Sequence, residues 1–168
     1  MRTFGKVMIA VALVVAGCDD DDDNNAVLPD GATGDVTTFN VTMTSSQETP
    51  PCAAGRSDAT GSVTVTIASD DSAIAVSGLT FSGLSGPATA AHIHSGARGV
   101  AGPIVFPLNV TLTPFSTVAF DAADYPTPVP AGASPDFPSF VAAMKAGNTY
   151  VNVHTAACPD GEIRAQLQ

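Results

Sequence analysis

The chain has 168 residues, 6 of them basic and 16 acidic, for a net charge of −10 at neutral pH. Phosphate backbones are gripped by clustered Lys and Arg, so this balance excludes nucleic acid as a partner. A charged fraction of 13%, together with 15 Gly and 13 Pro, suits a turn-rich β domain better than a helical one.

Residues 1–17 read as a secretory signal: Arg2 and Lys6 precede the apolar run "VMIAVALVV", followed by "AGC". The run is shorter than the roughly 20 residues a spanning helix needs. Small residues before a cysteine resemble the bacterial lipoprotein signal, which implies that Cys18 carries the lipid and that a membrane is a partner. The alternative is an ordinary cleavage nearby, with Cys18 a free thiol. Residues 18–35 open with five aspartates, Asp19 to Asp23. Like charges repel and bury no apolar area, so this segment is expected to be an extended, disordered tether. Without the signal, four basic residues face sixteen acidic ones, a net −12.

The domain proper is expected over residues 36–168. Strict alternation of apolar and polar residues marks half-buried strands. In "VTTFNVTMT", Phe39, Val41 and Met43 share one side; Val63, Val65 and Ile67 do so in "SVTVTIA", and Ile74 and Val76 in "AIAVSGLTF". "ASDDSA" between the last two has hairpin-turn chemistry. Further strands are expected at 89–94, 104–108, 116–120, 150–155 and 162–167. The stretch "DYPTPVPAGASPDFP" carries five prolines, which remove backbone donors, and reads as a surface loop. Phe140, Val141 and Met144 then fall at helical spacing, and Gly147 supplies the C-terminal stop. The expected fold is all-β: a single antiparallel, Greek-key-like β-sandwich or barrel, with one short helix near residues 138–146.

Two clusters could carry chemistry. His92 and His94 lie at i and i+2 on one strand face, with backbones about 6.6 Å apart. If the strand of His154 lies beside theirs, three neutral imidazoles can hold Cu or Zn with a fourth position open. The alternative is that these histidines anchor strands by hydrogen bonds to backbone carbonyls. Glu162 and Arg164 leave one strand face together and form either a surface ion-pair cluster, with Arg98 as a third member, or a recognition patch. No nucleophile and base or carboxylate pair is assembled: Ser95 adjoins His94 but points to the opposite face. "GARGVAG" resembles a phosphate loop in composition alone. With Cys18 acylated, Cys52 and Cys158 remain as an even pair for one disulfide in an oxidising compartment.

The ordered set "SSQETPP", "ATGSVTVTI", "GPATAAHIHSGARGVAGPIVFPL", "YVNVHT" and "GEIRAQL" resembles the chordin-type domain, CHRD, over most of the chain from Val36 to Gln168. The resemblance implies an extracellular all-β fold distantly like the Cu/Zn superoxide dismutase sandwich. It also implies that cysteines stand in "TPPCAAG" and "TAACPDGE" where the family more often has apolar or aromatic residues, which favours their pairing. Dismutase activity is not expected, because three histidines fall short of the two metal centres of that enzyme. The function expected is an exported cell-envelope lipoprotein with a non-enzymatic binding or adhesion role towards an extracellular or periplasmic ligand. The alternative is a metal-binding protein using His92, His94 and His154.

Overall fold

The computed structural model describes residues 36–111 and 115–168; the signal at 1–17, Cys18 and the acidic tether lie outside the described residues. Eight strands form one antiparallel sheet: β1 Thr37–Thr44, β2 Thr60–Ile67, β3 Ala73–Ser82, β4 Ala88–Ser95, β5 Ile104–Leu108, β6 Val118–Asp121, β7 Thr149–Thr155 and β8 Ile163–Gln166. Their order is β5-β4-β7-β8-β1-β2-β3-β6. The connections β3–β4, β5–β6 and β6–β7 cross between the two halves of the sheet, and β1 joins β8 through Thr44 and Arg164. The edge strands then meet, because Phe106 of β5 stacks on Phe120 of β6 at 4.5 Å. The result is a nearly closed barrel.

The alternation read from the sequence sets the core. Phe39, Met43, Val63, Val65, Ile67, Ile74 and Val76 point inward, joined by Ala91, Ile93, Val151, Val153, Ile163 and Ala165. In β3 one extra residue near Gly78 shifts the register against β2, and the inward set moves from Val76 to Leu79. The hairpin between β2 and β3 turns as expected, with Asp70 accepting from the backbone and hydroxyl of Ser72.

One α-helix, α1, spans Phe137–Lys145, a residue earlier than expected at each end. Asp136 caps its start by accepting from the Ser139 backbone at 2.8 Å. Its end is a Schellman turn: Gly147 N–H bonds Met144 O, and Asn148 N–H bonds Ala143 O, with Gly147 at φ 73°. Phe137, Phe140, Val141 and Met144 are buried. Phe140 and Tyr125 pack on Phe106 beside the edge-strand seam. Tyr125 also donates to Ser134 O at 2.7 Å, so the proline-rich loop is pinned to the barrel.

Cys52 and Cys158 form a disulfide with Cα atoms 5.8 Å apart. Among the described residues no helix is long and apolar enough to cross a membrane.

Candidate metal centre

Strand β7 is buried along its whole length. Val151 and Val153 face the barrel core, so the pleat turns Tyr150, Asn152 and His154 to the outer face. Antiparallel register sets His92 opposite Asn152 and His94 opposite Tyr150 on β4, while Arg164 and Gln166 of β8 lie opposite Asn152 and Tyr150. This outer face is a polar layer roofed by loops.

The roof offers carbonyls. Arg164 donates to Val100 O and Ala97 O, both at 3.0 Å, and Gln166 Nε2 donates to Gly96 O at 2.8 Å. A phosphate loop would turn N–H groups towards an anion; here the glycine-rich stretch turns oxygens towards cationic and amide donors. Gly102 is required where it sits, because a Cβ there would overlap the Ser95 carbonyl.

The three histidines converge. One ligand atom from each of His92, His94 and His154 lies within 4.8 Å of the others. His94 Nδ1 donates to Gly102 O at 2.8 Å, and His154 Nδ1 donates to Pro159 O at 2.9 Å. A neutral imidazole carries one N–H, so each Nε2 presents a lone pair. Both Nε2 atoms face Asn152 Oδ1, at 3.0 Å from His94 and 2.9 Å from His154. His92 Nδ1 lies 2.9 Å from His154 Nε2 and is the donor available to it.

The rings are held neutral. Burial, and then the charges of His154 and His94, push His92 down to about 4. Burial likewise lowers His94 and His154, against the opposing effect of their bonds to Gly102 and Pro159. Tyr150 stacks on His94 with rings 4.5 Å apart and 9° from parallel, and Arg164 covers the Tyr150 ring at 3.4 Å. Behind Asn152 sits Glu48, 3% exposed, its carboxylate beside the amide nitrogen. Burial raises the Glu48 pKa, and its Oε2 has no well-formed hydrogen bond.

Glu162 and Arg164 do not form the expected surface cluster, because the loops cover them. Each is 1% exposed, and neither pairs with the other or with exposed Arg98. Glu162 instead gathers loops: it accepts from the backbones of Arg56 and Ser85 and from the hydroxyls of Ser85 and Thr155. Burial alone would raise its pKa, but these bonds outweigh it and hold the carboxyl low. Asn152, Tyr150 and Glu48 were not singled out in the sequence. The period-two rhythm of "YVNVHT" could have found the first two, since it puts Tyr150, Asn152 and His154 on one face.

A family profile described as the CHRD domain matches residues 39–167, from the first core residue of β1 to Leu167, one residue past β8. The chain belongs to the CHRD-domain family. Comparison with curated proteins and with solved structures gave no match. The matched span contains all eight strands save the first residues of β1, the disulfide and all three histidines, so the candidate centre is built wholly within the CHRD domain.

Proposed function

We propose that the protein is an exported, lipid-anchored envelope protein whose CHRD domain binds one transition-metal ion, copper or zinc, through His92, His94 and His154. The observation that carries this reading is the convergence of lone pairs. Strand anchoring accounts for both Nδ1–H bonds to Gly102 O and Pro159 O, and His92 Nδ1–H serves His154 Nε2, but both Nε2 lone pairs still face the acceptor oxygen of Asn152. With the His92 proton moved to its Nε2, a cation takes a lone pair from all three rings at once. The carbonyls that take the Nδ1 protons serve as the outer partners that metal-bound histidines ordinarily have, fixing tautomer and ring orientation. Bound there, the ion supplies a Lewis-acidic and, for copper, redox-active centre. Of adhesion and metal binding, the convergence favours the second.

Export and anchoring rest on the signal-like residues 1–17 and on Cys18. The disulfide fits an oxidising compartment.

Protein purified without chelator and assayed for copper and zinc is expected to hold about one ion per chain, and the His92→Ala/His94→Ala/His154→Ala variant none. Equal metal content in the two sinks the metal reading. In the same preparation a Cys18→Ala chain is expected to leave the membrane fraction; persistence there sinks the anchor.

A further inference from the structure

The geometry points to Asn152 Oδ1 as a fourth ligand, giving an N3O donor set suited to Cu(II), with Glu48 as the residue that aims the amide. This rests on the metal reading above and sharpens it.

Asn152 lies at the centre of β7, between β4 and β8, and is 1% exposed. Its Oδ1 sits between the Nε2 atoms of His94 and His154, at 3.0 and 2.9 Å. Neither nitrogen can donate, because each ring has spent its proton on a backbone carbonyl. Turning the amide over would relieve that contact, but it would bring Oδ1 against the Glu48 carboxylate. Glu48 is itself held: its Oε1 accepts from the Thr49 backbone at 3.1 Å, and Gly161 approaches so closely that a Cβ there would overlap Glu48 Oε2. An ionised Glu48 thus favours the amide with its oxygen towards the imidazoles.

The donor types favour the ion, and the spacing is compatible with neighbouring ligands on it. At bond lengths of about 2.1 Å, two ligands at right angles stand about 3.0 Å apart and two at a tetrahedral angle about 3.4 Å. The chain of contacts from His94 Nε2 through Asn152 Oδ1 and His154 Nε2 to His92 Nδ1 runs 3.0, 2.9 and 2.9 Å. Right-angle N and O donors are the tetragonal preference of Cu(II) and Ni(II), and Cu(II) binds such sets most tightly among the divalent first-row ions.

The test titrates Cu(II) into metal-free full-length protein, with affinity from chelator competition and coordination from electron paramagnetic resonance. Wild type is expected to give an axial Cu(II) spectrum. Asn152→Leu should weaken binding about tenfold or more, while Asn152→Asp, which keeps the oxygen and adds charge, should bind at least as tightly as wild type with a shifted spectrum. Should the leucine chain fail to fold, the aspartate variant decides alone: an unaltered spectrum and affinity overturn the proposal. Glu48→Gln should lower affinity about tenfold and alter the spectrum, without lowering the thermal midpoint of the metal-free protein. An unaltered spectrum there removes Glu48 as the positioning residue. Wild type that takes up no Cu(II) or Zn(II) sinks the metal reading itself, whereas wild-type binding unaffected at Asn152 sinks the fourth ligand alone.

Discussion

His92 is the most accessible of the three histidines and the one without a backbone carbonyl partner; its Nδ1 turns to His154. Its pKa falls from 6.5 to about 4 through burial first and the neighbouring rings second. Between those values the folded protein binds fewer protons than the unfolded chain, so metal-free stability rises with pH across that window and is lost as pH falls through it. A shift of this size has a ceiling of about 1.4 kcal/mol per unit, which partial exposure to solvent reduces to roughly 2 kcal/mol in all. Glu48 acts in the opposite sense: its raised pKa gives a contribution present in full below 4.5 and lost as pH rises through the higher folded value. Urea midpoints of metal-free protein are therefore expected to drop from pH 7 to pH 4.5, and less steeply in His92→Gln; equal slopes would remove His92 as a source. The pair His92 and His94 was legible in the sequence from its spacing. The role of Asn152 was not, because an amide declares itself only through the partners that fix its orientation, and those come from Glu48 and two backbone carbonyls distant in the chain.

Strand β7 and the loop 96–102 show what an element adds to its residues. All eight strands were legible, and in β1, β2 and the first half of β3 period-two alternation records the face buried against the barrel core. The second buried face of β4, β7 and β8 was not legible: Glu162, Arg164 and Gln166 are polar, and polar residues on a strand read as solvent-facing. They are buried because loops cover them, and the donors of Arg164 and Gln166 are met by carbonyls of residues 96, 97, 100 and 147. That roof depends on Gly102, whose carbonyl accepts from His94 and whose N–H donates to Tyr150. Gly102→Ala is expected to cost about 1–3 kcal/mol through overpacking and to weaken metal binding. Gly86→Ala, where a Cβ would meet nothing within 4 Å, should change neither. Matching urea curves and metal affinities for the two variants would contradict this account of the loop.

At the scale of the whole molecule, the disulfide ties residues 106 apart in sequence and holds the segment from Thr155 to Gly161 beside the centre. Pro159 O, which fixes the His154 tautomer, belongs to that segment. In the chain-entropy account a loop of this length is worth about 4–5 kcal/mol. The Cys52→Ser/Cys158→Ser protein should lose a comparable amount in urea unfolding and hold its ion less tightly; unchanged stability would show that the barrel closes without it. The pairing was legible once Cys18 is set aside as the lipid-bearing residue, whereas its position beside His154 depended on the fold. Barrel closure carries one further consequence. The edges of the sheet are where a protein invites another copy to add a strand. Here β5 and β6 turn towards each other, β6 is four residues long, and β5 carries Pro107, which has no N–H to offer. Many copies can therefore crowd together with little template for strand-to-strand growth into fibrils.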